Sequence, residues 1–584
     1  MDLKHISPFF TASPQLSSAD VGAAASLGFK AIINNRPDGE GDDQPTSSEI
    51  EAAAEAHGLE YRHIPVVGGK IADEDIAAFQ TALEDLTGPV LAFCRTGTRS
   101  TTLWALSEAR HMSADALIKA AGEAGYDLTG LRARLDSRLA ARAGAARSEA
   151  PAAPERKFDV VVVGGGAAGI SAAASLLNRR PSVNIAIVEP REDHFYQPGW
   201  TLVGGGVFDR KDTRRPMADL MPEDATWIRA AASGFDPERR AVILEDGSRL
   251  SYDVLIAAPG LKLDIDQVDG LRGALGHNGV TSNYLFDLAP YTWDLVQATR
   301  SGTALFTQPP MPIKCAGAPQ KAMYLSCDAW RRKGVLGGVD VQFHNAGPVL
   351  FGVKDYVPAL MEYVKRYGID LNFGSNLVAV DADSQTAVFE QAGEDGPARV
   401  ERGFDMIHVT PPQTAPDFVR DSPLANEAGW IDVSPETLQH VTYGNVFALG
   451  DACSAPNAKT AAAVRAQAPV VAENVARVLD GKAARAVYNG YGSCPLTVER
   501  GKIVLAEFGY GGKLLPTFPA WAVDGTKPTR LAWFLKEKML PAIYFDAMLQ
   551  GKEWLMNVDF LDHDPTPRDA PEACGEQARS GRAA

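Results

Sequence analysis

Six cysteines are the residues of this chain best suited to redox or nucleophilic chemistry, and two of them stand in reactive surroundings. Cys94 lies in FCRTGTRS, at the end of a predicted strand and just before Arg95 and Arg99. Cys315 lies in PIKCAGAPQK, directly after Lys314. Nearby positive charge lowers a thiol pKa and favours the nucleophilic thiolate. The remaining cysteines are Cys327, Cys453, Cys494 and Cys574. Without a C-x-x-C pair, neither a zinc ribbon nor another metal site is expected.

The Cys94 segment has the order strand, loop, helix. PVLAFC reads as a buried strand, and TTLWALSEARH reads as the helix that follows the loop. This order directs backbone N–H groups and the positive end of a helix dipole at Cys94, which predicts a thiolate that binds or attacks an anion. The alternative is a buried structural cysteine beside a surface arginine pair. Asp38 in RPDGE is a candidate general acid, although an aspartate in a turn is the simpler interpretation.

A glycine-rich turn indicates a dinucleotide site in the middle of the chain. The strand KFDVVVV leads into Gly164, Gly166 and Gly169, and a helical segment follows. Glycines allow the tight turn and the close approach of a pyrophosphate to the helix N-terminus. Glu189 ends the next strand, 20 residues after Gly169, where a carboxylate accepts hydrogen bonds from the ribose of an adenosine. With both flanking elements and the acid present, the pattern strongly predicts this site.

Length and composition set the surroundings of these segments. The chain has 584 residues, 45% of them hydrophobic, which predicts several globular domains. Its net charge of −16 disfavours general nucleic-acid binding. The predicted units are a Cys-loop domain at 1–134, an Ala- and Pro-rich linker at 135–156, a nucleotide-binding region at 157–500, a C-terminal region at 501–562 and a disordered tail at 563–584. The scattered cysteines and the absence of a signal peptide or an 18-residue apolar run predict a cytoplasmic protein.

The first 110 residues resemble the phosphatase-like domain of beta-lactamase-hydrolase-like proteins, through NNRPDGE and FCRTGTRS. This domain is related to the tyrosine phosphatases, in which five residues separate the cysteine from the arginine. Here only four separate Cys94 from Arg99, a spacing closer to that of the rhodaneses, whose cysteine carries a persulfide. The resemblance therefore leaves phosphatase and sulfur-transfer chemistry open, with Cys94 and Arg99 as the candidate catalytic residues.

The region from Lys157 resembles flavoproteins with two dinucleotide-binding domains. LSYDVLIAAPG, ending at Gly260, is similar to their second FAD signature, and NVFALGDA, which contains Gly450 and Asp451, is similar to their third. The resemblance implies FAD as cofactor, with Asp451 near its ribityl or pyrophosphate region. Lys459 opens a predicted helix nearby, where it either stabilises reduced flavin or an anionic intermediate, or is a surface charge.

The expected nicotinamide site has lost its glycines. After the strand TALFTQ come three prolines and Cys315, although proline has no N–H to offer a phosphate, and the next strand, VDVQFHN, lacks an acidic residue at its end. PIKCAGAPQKAMYLS is very similar to the active-site segment of sulfide:quinone oxidoreductases, and GDACSAPNAKTAAAVRAQ and SCPLTVERGKIVLAEFGYGG extend the similarity. The resemblance implies that electrons enter through Cys315 and that a second redox cysteine lies near the Gly-Asp motif. Cys453 is the candidate, but it falls one position later than in the mitochondrial-type pattern Gly-Asp-Cys, which leaves its assignment open. Cys327 and Cys494 are expected to be packed thiols. Lys314, next to Cys315, either lowers the pKa of that thiol or is a solvated surface lysine.

The C-terminal segment Thr529–Met556 is the candidate for membrane contact. Aromatic and aliphatic residues alternate with Arg530, Lys536 and Lys538, and Pro541 is expected to break the helix. An amphipathic segment of this kind lies in a membrane interface or packs on the protein itself. The family resemblance favours the membrane, which predicts peripheral attachment on the inner face of the cytoplasmic membrane.

The sequence therefore predicts an α/β protein in which a phosphatase-like Cys-loop domain precedes two Rossmann-like domains and a C-terminal amphipathic helical region. The predicted function is FAD-dependent oxidation of sulfide to sulfane sulfur with a membrane quinone as electron acceptor, and a small thiol is a candidate sulfur acceptor. The alternatives are an NAD(P)H-dependent polysulfide or disulfide reductase, and an N-terminal unit that is a phosphatase or an anion-binding module. The oligomeric state stays open, with a homo-oligomer among the choices.

Overall fold

The N-terminal unit is a five-stranded sheet with helices on both faces. The computed structural model describes residues 1–145 and 156–562, except 8, 42–43, 87, 110–111, 113, 394–395 and 554–555. In spatial order the strands are Lys4–Ser7, Phe10–Ser13, Val90–Phe93, Ala31–Asn34 and Glu60–His63. The first pair is antiparallel and the others are parallel. The helices are Ser18–Ser26, Ser47–Ala56, Asp73–Asp85, Thr98–Glu108, Ala114–Glu123 and Arg132–Ala145.

The last of these helices extends into the predicted linker. Leu135 is fully buried in the core of the N-terminal unit, and Arg138 donates to the Leu106 carbonyl and to Asp73. The helix therefore packs on this unit as far as these contacts reach, beyond the predicted boundary at 134. Residues 146–155 of the predicted linker and the predicted tail at 563–584, with Cys574, lie outside the described residues.

The second unit is built on a parallel sheet that is extended by two antiparallel strands. In spatial order the strands are Ala225–Ile228, Ile185–Val188, Arg156–Val163, Arg249–Ala257, Ala241–Leu244 and Ala232–Asp236, with Val446–Ala448 paired to the end of Arg249–Ala257. The helices Ala167–Arg179 and Ala461–Leu479 pack against each other beside this sheet. The strands predicted in KFDVVVV and VNIAIV are present, because each is a run of apolar residues that both faces of a central strand can bury. Most of the segment LSYDVLIAAPG also forms a strand, which ends at Ala257.

A second parallel sheet carries the segment that was expected to bind nicotinamide. Its strands in spatial order are Val280–Thr281, Met406–His408, Gly302–Gln308, Val339–Asn345 and Asp370–Phe373. The helices Ala289–Ala298, Ala318–Lys333 and Val357–Tyr367 accompany this sheet. A three-stranded antiparallel sheet follows, formed by Ser375–Asp381, Thr386–Gly393 and Gly396–Gly403. Both Rossmann-like units of the prediction are thus present.

The C-terminal region begins with the hairpin Gly492–Glu499 and Lys502–Phe508, which packs on the helix Ala318–Lys333. Helical turns then run from Arg530 to Gln550, with π-helical hydrogen bonding at Leu535–Met539 and Ile543–Ala547. The expectation that Pro541 breaks the helix is wrong. Pro541 lies in the first turn of the short α-helix Leu540–Ala542, which directly follows a π-helical stretch. A missing N–H is tolerated at that position. Of the described helices, none is long and apolar enough to cross a membrane.

The N-terminal unit contacts the segment before the second sheet through two histidine rings that are tilted by 41° to each other. The rings of His5 and His277 lie 4.0 Å apart between centroids, and Phe29 lies 6.3 Å from the His277 ring. His277 Nε2 is buried and has no hydrogen-bond partner among the described residues. Burial lowers the pKa of His277 to about 3 and also lowers the pKa of His5, although the charge of Asp383 acts to raise the latter. The contact therefore requires both rings to be neutral.

We expect acid to separate the two units. A separated His277 regains a pKa near 6.5 and binds a proton that the docked state rejects, so docking weakens as the pH falls below 6.5. The loss is about 1.4 kcal/mol for each pH unit until the native pKa is reached. X-ray scattering should show a larger radius of gyration at pH 5 than at pH 7. His277→Phe keeps an aromatic ring at this position but cannot bind the proton. If this variant expands in acid as much as the wild type does, His277 is not the group responsible.

Candidate active site

Glycines create the first part of a nucleotide cleft at the end of the strand Arg156–Val163. Gly164 has a φ of +103°, and a Cβ there would lie 2.3 Å from the Ala258 carbonyl oxygen. At Gly169 a Cβ would lie 1.8 Å from the Gly164 carbonyl oxygen. Gly166 caps the helix Ala167–Arg179 and faces open space, with no atom within 4 Å of its Cβ position. The helix N-terminus thus has no side-chain cap and is accessible, as the binding of a pyrophosphate group requires.

The acidic residue predicted for the ribose closes one end of this cleft. Glu189 is 9% exposed, and its carboxylate accepts hydrogen bonds from the N–H groups of Gly165 at 2.8 Å and Arg191 at 3.0 Å. These contacts hold the carboxylate beside the glycine turn. The arrangement is the one expected for a carboxylate that recognises the ribose of a dinucleotide.

The Gly-Asp motif forms the other end. Gly450 has a φ of +74°, and its N–H donates to Gln467 Oε1 at 2.9 Å. Lys459 is 7% exposed, and its Nζ donates to the carbonyl oxygens of Asp451 at 2.7 Å and Cys453 at 3.0 Å. Lys459 therefore holds the backbone of this turn through two hydrogen bonds. This position differs from the surface charge that was one of the two predictions for Lys459. Gly260, with a φ of +75°, lies in the turn after the strand Arg249–Ala257, with which Val446–Ala448 pairs.

The residues present fit a flavin dinucleotide. Gly166 is exposed, and Asp451, Lys314 and Cys315 are half-buried, although each is surrounded by buried neighbours. The three loops are neighbours, because a Cβ at Gly450 would lie 2.9 Å from Ala168 Cβ and Lys314 forms a β-bridge with Lys459. The nucleotide cleft is suited to a pyrophosphate, through the accessible helix terminus, and to a ribose, through Glu189.

Two sulfur atoms meet beyond the cleft. Cys315 Sγ lies 3.4 Å from Cys494 Sγ, a hydrogen-bond distance that is longer than a disulfide. Gly317 permits this approach, because a Cβ there would lie 2.6 Å from Cys494 Sγ and 2.3 Å from Leu496 Cδ2. The Cys315 N–H donates to the Lys459 carbonyl at 2.8 Å, which ties this cysteine to the Gly-Asp motif. Cys315 is therefore the cysteine nearer the cleft, and Cys494 is the more deeply buried partner.

Two buried lysines, Lys321 and Lys536, lie near the sulfur pair. Lys321, 3% exposed, donates from Nζ to Cys315 Sγ at 2.9 Å. The hydrogen bond from Cys494 and the Lys321 ammonium hold the pKa of Cys315 well below its usual value, against the effect of burial. Burial acts to lower the pKa of Lys321, but the two sulfurs raise it above its ordinary value. Cys315 is the thiolate of the pair, and the hydrogen bond it receives raises the pKa of Cys494.

Lys536 lies on the other side of the pair. It is 4% exposed and donates to the Pro495 carbonyl at 3.3 Å and to Thr497 Oγ1 at 3.1 Å. Burial and the nearby charge of Lys321 lower the pKa of Lys536 well below its usual value. The C-terminal segment, for which the sequence left membrane contact and packing on the protein open, thus contributes a buried amine with a lowered pKa to the site.

The structure corrects the predicted cysteine pairing. Cys453 is fully buried beneath the Gly-Asp turn, its Sγ donates to the Gly450 carbonyl at 3.3 Å, and burial raises its pKa. Cys494, expected to be a packed thiol, is instead the cysteine whose sulfur contacts that of Cys315. Cys327 lies in the middle of the helix Ala318–Lys333, fully buried, and burial raises its pKa, which agrees with a packed role.

The lysine next to Cys315 in sequence is also not the one that serves its sulfur. Lys314 Nζ donates to Gln197 Oε1, away from the thiol pair. Sequence reasoning missed Lys321 and Lys536, because a lysine on a helix normally indicates a solvated face. The sequence signal for Lys321 was its place in CAGAPQK, six residues after Cys315.

The loop at the nicotinamide position lacks the donors and the acid of a second nucleotide site. The end of the strand Val339–Asn345 carries an amide, which binds the Val349 carbonyl at 2.9 Å and the Gly347 N–H at 2.8 Å. Asn345 thus stabilises its own turn. Pro309 and Pro310 follow the strand Gly302–Gln308 and provide no N–H groups.

The N-terminal unit contains a second, separate site at the carboxyl edge of its sheet. Cys94 is 1% exposed, and its Sγ accepts a hydrogen bond from the Gly97 N–H at 3.2 Å. Gly97, with a φ of +86°, caps the helix Thr98–Glu108, so the predicted strand, loop and helix around Cys94 are present. Arg99 donates to Glu40 at 2.6 Å and to the Val66 carbonyl at 2.7 Å.

Two other residues of this unit have local roles. Arg36 also bonds to Glu40, at 2.8 Å, so two guanidinium groups share one carboxylate. The exposed Asp38 accepts from the N–H of Ser47 at 2.7 Å and from its hydroxyl at 3.1 Å. Asp38 therefore fixes the turn before the helix Ser47–Ala56, as the simpler interpretation predicted.

Comparison with known proteins defines the class. Residues 158–304 match the family model of pyridine nucleotide-disulphide oxidoreductases, and residues 2–111 match that of the phosphatase-like domain of beta-lactamase hydrolase-like protein. The second part of the chain is thus a flavoprotein oxidoreductase, a class that implies a flavin-type cofactor. The chain is 42% identical over 404 residues to a mitochondrial sulfide:quinone oxidoreductase of Dictyostelium discoideum, covering 69% of this chain and 88% of that protein. The chain therefore belongs to the sulfide:quinone oxidoreductase family.

Other similarities agree with this assignment. The mouse mitochondrial sulfide:quinone oxidoreductase is 39% identical, over 68% of this chain and 87% of that protein. The crystal structure of the Aquifex aeolicus sulfide:quinone oxidoreductase shares the fold, with a TM-score of 0.56 at 19% identity, over 71% of this chain and all of that chain. The N-terminal unit is 43% identical over 109 residues to a beta-lactamase hydrolase-like protein of Agrobacterium fabrum, which is 19% of this chain and 25% of that protein.

Proposed function

We propose that this protein uses FAD to oxidise sulfide to sulfane sulfur and passes the electrons to a quinone. The observation that carries the proposal is the contact between Cys315 and Cys494, with Lys321 on the Cys315 sulfur, beside a cleft suited to a dinucleotide. Gly164, Gly166, Gly169 and Glu189 would hold the adenosine diphosphate part of FAD, and Gly450 and Asp451 would lie along the remainder. Family membership supports sulfide and quinone as the substrates.

The residues suggest how sulfur is captured. In the oxidised enzyme Cys315 and Cys494 are joined, and HS⁻ attacks Cys494 Sγ. The S–S bond breaks, Cys315 leaves as a thiolate that Lys321 stabilises, and the sulfane sulfur stays on Cys494 as a persulfide. Lys536, with its lowered pKa, accepts at Nζ the proton of any H₂S that enters. A small thiolate then removes the outer sulfur and leaves Cys494 as a thiolate.

The pair must be reoxidised before the next turnover. FAD, when bound, accepts two electrons from the thiol pair and supplies them to the quinone. Cys315 is placed for this step, because its N–H is bonded to the Lys459 carbonyl and Lys459 holds the Gly-Asp turn. Proline and asparagine at the nicotinamide position disfavour NAD(P)H as the electron donor.

Anaerobic reduction of the purified protein tests the proposal. Sulfide should bleach the flavin absorption quickly, a soluble quinone should restore it, and NADH should act far more slowly. Bleaching by NADH and not by sulfide would instead indicate the NAD(P)H-dependent polysulfide reductase. If a soluble quinone fails to reoxidise the reduced flavin, the proposal that quinone is the electron acceptor is rejected.

A cleft next to the C-terminal helical turns is the candidate quinone site. It has a volume of about 350 Å³ and includes Tyr196, Phe208, Lys538 and Phe545 among its lining residues. Aromatic side chains suit a quinone ring, and the nearby charge suits its oxygen atoms. The cleft joins the C-terminal segment to the loop 194–200 next to the glycine turn.

We propose that the C-terminal region contacts a membrane. Trp521 is 88% exposed, Leu531 54% and Phe534 52%, and the last two share one face of a helix. Ile503, Leu505, Val523 and Ala532 form one hydrophobic cluster beneath these side chains. Arg530 and Lys527 supply positive charge that favours an anionic lipid surface. These side chains support peripheral attachment, and the location we propose for it is the inner face of the cytoplasmic membrane.

We expect Trp521→Ala combined with Phe534→Ser to weaken binding to vesicles that contain anionic lipid by at least about tenfold, since each large side chain contributes roughly 1.5–3 kcal/mol when buried. Co-sedimentation with vesicles measures this, and sulfide reduction of the flavin should be unchanged. Leu27→Ser, at an exposed leucine of the N-terminal unit, is the matched control. Equal loss in the control would contradict membrane contact through this region.

A second function is proposed for the N-terminal unit: Cys94 receives sulfane sulfur. The observation in favour is that Arg99 is held by Glu40 and the Val66 carbonyl, in a loop one residue shorter than that of a tyrosine phosphatase. Both Cys94 and Cys494 are buried, so a small thiol RSH must carry the sulfur between them. In the transfer, Cys94–S⁻ attacks RS–SH, a new S–S bond forms, and RS⁻ leaves.

We expect Cys94→Ser to leave sulfide-dependent flavin reduction unchanged and to change the yield of soluble persulfide. Product analysis by thiol labelling and mass spectrometry measures this, with Cys327→Ser as a buried-cysteine control. Identical sulfur products in the variant and the wild type would reject the coupling. Turnover of an aryl phosphate that depends on Cys94 would establish the phosphatase instead, and anion binding without turnover would favour a binding module.

A further inference from the structure

Lys314 has an unusual setting for a lysine next to a reactive cysteine. Its Nζ donates to Gln197 Oε1 and lies 5.6 Å from the Trp200 ring centroid and 5.7 Å from the Tyr284 ring centroid. Two aromatic faces and an amide oxygen thus form a cage for the ammonium group, which cation–π attraction and the hydrogen bond both favour.

The backbone of Lys314 is fixed at both ends of the residue. Its N–H donates to Gln413 Oε1 at 2.7 Å, and its carbonyl accepts from the Tyr284 hydroxyl at 3.1 Å. The side chain therefore leaves the loop in a defined direction, away from the sulfur pair and towards the cage. Cys315, the next residue, has a φ of +52°, a conformation that turns the chain between the two side chains.

The other two lysines near the cleft are already engaged. Lys321 Nζ serves the Cys315 sulfur, and Lys459 Nζ binds two carbonyl oxygens of the Gly-Asp turn. Lys314 is half-buried, and its backbone forms a β-bridge with Lys459, which places it beside the Gly-Asp turn. The carboxylate of Asp451 is close enough to influence its charge.

We propose that Lys314 supplies the positive charge that stabilises the negatively charged reduced flavin in this cleft. The inference rests on the proposed binding of FAD and extends it by naming the residue that sets how easily the flavin is reduced. In this assignment the two lysines around Cys315 have different roles. Lys321 stabilises the Cys315 thiolate, and Lys314 stabilises the negative charge of the reduced flavin. Lys459 keeps a positioning role in the turn.

The charge of Lys314 depends on pH near neutrality. Burial lowers the pKa of Lys314 to about 8; the Asp451 carboxylate acts to raise it and the Arg191 guanidinium to lower it. Tyr284 faces the ammonium from the other side and stays protonated, because burial raises its pKa. The ammonium is therefore present at pH 6.5 and is lost as the pH rises through 8, so its effect on the flavin should disappear in alkali.

The test is the midpoint potential of the bound flavin at pH 6.5 and pH 9.5, measured by photoreduction against a reference dye. At pH 6.5, Lys314→Gln should shift the ratio of oxidised to reduced flavin about tenfold towards oxidised, equivalent to about 30 mV for a two-electron couple. At pH 9.5 the variant and the wild type should agree. Lys314→Arg should retain the wild-type potential at pH 6.5, and Lys482→Gln, at an exposed lysine paired with Asp480, is the control.

The outcomes separate this inference from the proposed function. Photoreduction needs neither sulfide nor quinone, so the potentials are measurable even if sulfide fails to reduce the wild type, a result that would reject the function alone. Equal potentials of the wild type and Lys314→Gln at pH 6.5 would overturn the inference. Loss of flavin from both Lys314→Gln and Lys314→Met, with retention in Lys314→Arg, would assign Lys314 to cofactor binding and would also overturn it.

Discussion

Cys494→Ser should abolish reduction of the flavin by sulfide, lowering the rate by at least about a thousandfold, as expected when one member of a reacting set is removed. The physical reason is that Cys494 Sγ lies 3.4 Å from Cys315 Sγ, so that a small movement brings the two sulfurs to the bonding distance of a disulfide. Anaerobic stopped-flow absorption at the flavin band measures the rate. Cys315→Ser should behave in the same way.

Cys453→Ser is the matched control for this experiment. Its sulfur is bonded to the Gly450 carbonyl beneath the Gly-Asp turn, and a serine hydroxyl can make the same contact. The sulfide-dependent rate should therefore stay within about twofold of the wild type, as usual for a substitution that keeps its hydrogen bond. A large loss in Cys453→Ser together with an active Cys494→Ser would restore the pairing predicted from the sequence and reject the one derived from the structure.

The second large effect is expected for Lys321→Met. The Lys321 ammonium donates to Cys315 Sγ at 2.9 Å and helps to hold the thiol pKa low. An opposite charge at this distance shifts a pKa by roughly 1–3 units, so its loss should reduce the thiolate fraction, and with it the rate at pH 7, by about a hundredfold. The deficit should shrink as the pH rises, because a higher pH restores the thiolate.

The pH profile distinguishes this electrostatic role from a structural one. A misfolded site would be slow at every pH, whereas Lys321→Met should approach the wild-type rate in alkali. Lys333→Met, at the exposed end of the same helix, should leave the profile unchanged. A rate for Lys321→Met at pH 7 equal to that of the wild type would show that the hydrogen bond from Cys494 is sufficient to keep Cys315 ionised.

The sequence by itself determined the nucleotide-binding elements of this protein. Gly164, Gly169 and Glu189 stand where a local pattern of strand, turn and helix places them, because φ values above zero and the close approach of two backbones are requirements within one supersecondary unit. The same holds for the Cys94 loop, whose strand, cap and helix are adjacent in sequence. The family resemblance to sulfide:quinone oxidoreductases, based on several ordered motifs, is confirmed by the comparisons.

Only the tertiary structure decided which residues meet at the sulfur site. Cys494 is 179 residues from Cys315, and it comes close because the hairpin Gly492–Glu499 and Lys502–Phe508 packs on the helix that follows Cys315. Lys536 arrives from a third segment with an amphipathic pattern that predicts exposure. Sequence spacing carries no information on such contacts, because the packing of distant elements depends on side-chain shapes across the whole core. That is why Cys453, close to a known motif, was the natural prediction and Cys494 is the neighbour.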